Sequence, residues 1–297
     1  MSEVTVFDAR VCQLGEGPFY DERTGRVVWV DILGRRVLWR EGERDGELRV
    51  GAHVGAAVPR RDGGLVLCLP EGPVLVESMD GSDLWVPLGS FASADESAGV
   101  APPADAPTLR ANDAKADPAG RLWLGTMAYD GTPGAGALYR LDPGETVPRR
   151  VLGGITISNG LGWSADLSTM YYIDTPTRRI DRFSYDVATG EIGERRVFVE
   201  VDDEGYPDGL CVDADGGVWV ALWEGSAVRR YDAAGRLDRV VSIPTGRVTS
   251  CTFAGEDYRT LVVTTAAHGR ARDPRAGLTY TYEPGDVAGL PVDRFAG

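Results

Sequence analysis

Asp208-Gly-Leu-Cys-Val-Asp-Ala-Asp-Gly-Gly-Val-Trp219-Val decides the fold, because its pattern returns along the chain behind different polar leaders. Asn159-Gly-Leu-Gly-Trp-Ser164 runs on to Tyr171-Tyr172, Asn112-Asp-Ala-Lys-Ala-Asp117 to Trp123, and Glu16-Gly-Pro-Phe-Tyr-Asp21 to Trp29. In each copy an oxygen-bearing side chain leads, Asp or Ser follows five places on, and a turn precedes an aromatic-centred strand. Residues at equal positions of such repeats occupy equal places about an axis. Glu16, Asn112, Asn159 and Asp208 are therefore expected to point at one spot. Asp21, Asp117, Ser164 and Asp213 are expected to cap turns within their own units.

Short alternating strands fill the spaces between these copies, as in Arg26–Asp31, Leu65–Leu69, Arg179–Asp186 and Ala227–Asp232. Six units of about fifty residues, each with room for four strands, predict an all-β protein: a six-bladed β-propeller with four antiparallel strands per blade. Residues 1–297 then form one domain. The leading positions of the two remaining units fall on Gly55 and Thr249. A propeller must close or leave unpaired edges, and Val4–Phe7 is placed to add an outer strand to the C-terminal blade. No stretch shows a sustained helical period. Residues 89–108, small, polar and proline-bearing, lack the apolar content to order on their own and read as a spacer or a mobile lid.

The 297 residues carry a formal charge of −14, with 43% hydrophobic and 26% charged residues. Such acidity argues against nucleic-acid partners, which need clustered Lys and Arg. The N-terminus has neither a basic start nor an apolar run, and no apolar stretch approaches the roughly 20 residues that span a bilayer. A cytoplasmic protein without membrane partners is expected, as a monomer or weak homo-oligomer. Cys12, Cys68, Cys211 and Cys251 are scattered and read as small buried hydrophobes, not disulfide partners.

Carboxylates converging on an axis repel one another unless a cation lies between them. Oxygen-only donors suit a hard ion, Ca²⁺ or Mg²⁺ and also Mn²⁺, whereas Zn²⁺ prefers His or Cys. Only His53 and His268 exist, with no Gly-x-Ser-x-Gly elbow and no phosphate-binding glycine loop. A serine-hydrolase reading is thereby disfavoured.

Leu14-Gly-Glu-Gly-Pro18, Arg110–Met127, Ser158-Asn-Gly-Leu161 and Gly205-Tyr-Pro-Asp-Gly-Leu210 together resemble the family of senescence marker protein (regucalcin), the gluconolactonases and LRE-like proteins. The resemblance covers essentially the whole chain. It implies a lactonase, a carboxylic ester hydrolase of carbohydrate metabolism that opens a sugar lactone to the aldonic acid with one divalent cation. Ca²⁺ is the first expectation, and Mg²⁺, Mn²⁺, Zn²⁺ or Fe²⁺ the others. The family's metal ligands fall on Glu16, Asn159 and Asp208, its general base on Asp208, and its substrate contacts on Arg110, Asn112 and Asp130. The family carries Glu at that last place, and an acidic neighbour where Tyr129 stands. Alternatives are a phosphotriesterase-like hydrolase and a non-enzymatic calcium-binding or ligand-sensing propeller.

Overall fold

The computed structural model describes residues 3–79, 85–97, 106–202 and 204–297. Its strands form six antiparallel sheets, each built from consecutive segments of chain. The first strands of the six are Gly15–Asp21, Ala56–Pro59, Leu109–Ala116, Ser158–Trp163, Tyr206–Val212 and Val248–Ala254. They pack against one another in turn and close a ring. The result is the expected six-bladed β-propeller. Five sheets have four strands, and the fourth gains the two-residue strand Glu191–Ile192 beside Arg179–Asp186.

Closure is made by the start of the chain. Thr5–Asp8 pairs antiparallel with Thr279–Tyr282, setting Val6 opposite Tyr280, so the last blade takes its outer strand from the N-terminus. The apolar residues segregate into six clusters, one between each pair of neighbouring blades. Phe19, Val28 and Val37 meet Ala57 and Leu67 between the first two, and Tyr20 and Trp29 meet Ala254 and Val262 where the ring closes. Each such Val, Leu or Phe contributes about 1.5–3 kcal/mol on burial.

The acids five places after the leaders hold each blade together from inside. Asp117 accepts from the amides of Ala119 (3.0 Å) and Arg121 (2.9 Å), and its second oxygen takes the Trp123 indole N–H at 2.9 Å. Asp213 repeats the arrangement with Asp215, Gly217 and Trp219. Asp21 accepts from the Thr24 hydroxyl at 2.8 Å, and the Ser164 hydroxyl accepts from the Thr169 amide at 3.0 Å.

Two features were not read from the sequence. Phe91–Ser97 is a short α-helix. Phe91 and Ala94 are buried between the second and third blades, with the Phe91 ring 5.0 Å from that of Tyr139. Two apolar residues three apart are enough to dock one turn in a groove that other blades supply, and seven residues are too few to show a period. Residues 98–105, on which the lid reading also rested, lie outside the described residues.

The second feature is the C-terminal tail. The Ala214 amide donates to the Ala288 carbonyl and Gly289 to Tyr258, while Phe295 donates to Pro59 and Ala296 to Gly120. The tail thus crosses from the fifth and sixth blades to the second and third. On its way Leu290–Asp293 line a cavity of about 310 Å³ at that end of the channel. All four cysteines are free thiols. No helix among the described residues is long and apolar enough to cross a membrane.

Candidate active site on the propeller axis

The first strands of five blades share an irregularity. Pairing with the next strand shifts register between Glu16 and Phe19, Ala111 and Ala114, Ser158 and Leu161, Pro207 and Leu210, and Val248 and Ser250. A bulge bends the strand and re-aims a side chain. Each polar leader sits at or inside one, so it leaves the sheet's in-out alternation and turns to the axis.

The second blade pairs regularly over Ala56–Pro59. Its leader, Gly55, packs so closely that an added Cβ would meet the Asn112 carbonyl oxygen at 2.5 Å. Glycine there serves close backbone approach. Thr249 is fully buried, and its hydroxyl donates to the Gly15 carbonyl at 2.5 Å, which makes it a tie between blades.

Gly160, directly after Asn159, shows the same crowding: a Cβ would stand 2.6 Å from the Asp208 carbonyl oxygen and 2.7 Å from the Leu210 amide. Both atoms are backbone and cannot swing away. Gly160→Ala is therefore expected to destabilise the fold by about 1–3 kcal/mol. The urea midpoint checks this, and an unchanged midpoint would mean that the inner strands can spread.

Glu16, Arg110, Asn112, Asn159, Thr175 and Asp208 line one cavity of about 330 Å³, walled by Met127, Ile157 and Trp223. All six polar side chains are at least nine-tenths buried. Four of them are strung together. Arg110 Nη1 donates to Asn112 Oδ1 at 2.6 Å, and Asn112 Nδ2 donates to Asn159 Oδ1 at 2.7 Å and to the Ser158 carbonyl at 2.8 Å. Asn159 Nδ2 donates to Thr175 Oγ1 at 2.7 Å, and that hydroxyl donates to the Pro207 carbonyl at 2.8 Å. Thr175, with its proton committed, can only accept from Asn159. This fixes the amide with its oxygen inward.

The carboxylates are held differently. Among the described residues Glu16 Oε2 accepts only from the amide of Gly17, at 3.1 Å. Asp208 Oδ1 is buried without a hydrogen-bond donor. Burial, then the charge of Asp113, raises Glu16 above the usual carboxylate range, with Arg110 opposing. Burial, then Glu16, raises Asp208 well above its ordinary value. Two buried carboxylates, one with an orphaned oxygen, leave a demand for positive charge that Arg110 only partly meets. Among the described residues no three His, Cys, Asp or Glu side chains cluster as metal ligands. The donor set at this spot is two carboxylates and the Asn159 amide oxygen, which suits a hard cation.

The structure thus brings together Glu16, Arg110, Asn112, Asn159 and Asp208. It places Asp130 elsewhere. That carboxylate is exposed and accepts from the Thr132 amide (2.9 Å) and hydroxyl (2.7 Å), outside the cavity lining. Sequence reasoning passed over Thr175, which follows the strand-ending Asp174 without any repeat to flag it. It also passed over Asp113, a buried acid beside Asn112 whose own burial raises its pKa and which faces the second cavity.

Fold and site together define a six-bladed propeller with an acid- and amide-lined axial pocket of small-molecule size. The chain belongs to the SMP-30/gluconolactonase/LRE-like family, whose profile matches residues 14–267. Regucalcin of Danio rerio is 35% identical over 296 residues, covering 96% of this chain and 95% of the relative. A solved calcium-binding regucalcin from Agrobacterium tumefaciens superimposes with a TM-score of 0.88 at 27% identity, covering 99% and 97% of the two chains. A solved luciferin-regenerating enzyme gives 0.89 at 27% identity over the whole of both chains. Family membership supports a lactonase-type hydrolase.

Proposed function

We propose that this protein is a metal-dependent hydrolase that opens a sugar lactone to its aldonic acid. The observation that carries the reading is the meeting of Glu16, Asn159 and Asp208, from three separate blades, with the Arg110–Asn112 pair in one buried cavity. Glu16, Asn159 and Asp208 would hold a divalent cation. When bound, that cation offsets the carboxylate repulsion and supplies Lewis-acid polarisation.

The chain's own residues do the rest. Asp208 Oδ1, buried and without a donor, is the atom that takes the proton of the attacking water. Arg110, with its remaining N–H groups, orients the lactone oxygens and stabilises the charge that develops on them, a contribution of about 3–4 kcal/mol for a preorganised donor. Asn112 holds Arg110 in place through its carbonyl oxygen. The apolar wall of Met127, Ile157 and Trp223 excludes bulk water, which strengthens each of these interactions.

A pH-indicator assay over a panel of aldonolactones, with and without EDTA, tests the reading. Acid release that EDTA abolishes and a divalent salt restores is expected. No acid from any lactone would leave the ligand-sensing alternative standing.

A further inference from the structure

Met127 lines the cavity and lies opposite Arg110 in the third blade. The strand ends at Ala128, yet the Tyr129 amide still donates to the Thr108 carbonyl at 3.0 Å. The chain then turns, the Gly131 amide donating to the Ala128 carbonyl at 3.1 Å, which sets Tyr129 on a turn directly beyond the strand that carries Met127 to the cavity. Tyr129 is 43% exposed and, like Asp130, is not among the residues that line the cavity, so it stands at its rim.

It is not loose. Tyr129 Oη lies 2.9 Å from His53 Nδ1, and the two rings are 5.5 Å apart. His53 comes from the segment just before Gly55, the glycine that lets the second blade press against Asn112. Both members of the pair sit near the buried guanidinium of Arg110: the phenol is the largest influence raising the Arg110 pKa against burial, and that of His53 is lowered by burial first, then by Arg35 and Arg110. The neutral imidazole and the phenol share one proton between them. Whichever nitrogen carries the ring proton, Tyr129 Oη keeps one free hydrogen-bonding direction, as donor or as acceptor.

We infer that Tyr129, held by His53, is a specificity contact of the axial site and takes a hydroxyl on the outer edge of the substrate ring. The inference rests on the lactonase reading and deepens it. Arg110 addresses the reacting end of the substrate from within the cavity, and Tyr129 addresses the far end from the rim. His53 acts through Tyr129 and is a positioning residue. A ligand with a ring hydroxyl gains this contact, and an unsubstituted lactone does not.

The experiment compares glucono-δ-lactone with γ-butyrolactone, which has no hydroxyl. In Tyr129→Phe the ratio of kcat/KM for the first over the second falls about tenfold, carried by KM. His53→Phe lowers it about threefold, and His53→Gln, which can still bond the phenol, restores it. Equal effects on both lactones, or a change carried by kcat, would overturn the assignment. Calorimetric titration of gluconate separates this result from the fate of the lactonase reading. If the wild type opens no lactone but binds gluconate, weaker binding by Tyr129→Phe upholds the contact and equal binding removes it. Binding of neither compound by the wild type sinks both.

Discussion

Asp208→Asn yields a folded propeller whose lactone turnover is about 10²–10⁴-fold lower, the range that loss of a positioned base removes. The side chains are nearly the same size, so packing against Gly160 and the inner strands is kept. What changes is charge and basicity at an oxygen that has no donor among the described residues. The neutral amide cannot take the proton of a water, and it removes one of the two negative charges proposed to hold a cation. The same substitution should act on stability in the opposite sense. Asp208 is raised by burial first and by Glu16 second, so its charged form is a cost to the metal-free fold at neutral pH. In EDTA at pH 8 the variant should therefore unfold at a higher urea concentration than the wild type. Loss of turnover together with gain of stability separates a functional carboxylate from a structural one, because a structural acid would lose both. Turnover within tenfold of wild type would take Asp208 out of the mechanism.

The fold was legible because the repeat carries its own register. Leader, acid five on and aromatic strand recur, and the acids do hold the strands, down to the indole N–H groups of Trp123 and Trp219. Blade number and the N-terminal closing strand follow from spacing and from the need to pair edges. Convergence of Glu16, Asn112, Asn159 and Asp208 was legible for the same reason. The device that turns them inward was not: a bulge changes hydrogen-bond register without changing hydrophobic pattern, and only the glycines after Glu16, Asn159 and Asp208 hint at it. Asp130, which the resemblance named as a substrate contact, stands on a turn outside the cavity lining. A carboxylate next to a turn can satisfy itself locally, and Thr132 two residues on captures it. Tyr129 and His53 could not be paired from sequence, since they are 76 residues apart and in different blades.

In EDTA the protein is expected to be most stable near pH 4 and to lose stability steadily toward pH 8. The sign follows from the two axial carboxylates. An unfolded Glu titrates at 4.5, and in the folded, metal-free chain burial and then Asp113 push Glu16 up to about 8. Asp208 moves the same way, by burial and then by Glu16. Between the unfolded and folded values the native state holds more protons than the unfolded one. Stability is then full below about 4.5 and declines as pH rises through the folded value, by up to about 1.4 kcal/mol per pH unit for each group. On the acid side Asp8 works in reverse. Burial raises it, but Arg10 outweighs burial and holds it below its ordinary value, so its contribution is lost as pH falls. The maximum near pH 4 lies between the unfolded values of 3.8 and 4.5, where the two trends cross. A divalent cation should erase the alkaline slope, because it binds the deprotonated pair that pH 8 favours, and at a hundred times its Kd it adds about 2.7 kcal/mol. Urea midpoints measured from pH 4 to 9, in EDTA and in millimolar CaCl₂ or MgCl₂, decide the matter. A flat profile in EDTA would mean that Glu16 and Asp208 do not share a dry site. Equal slopes with and without the cation would mean that the ion is held somewhere other than the propeller axis.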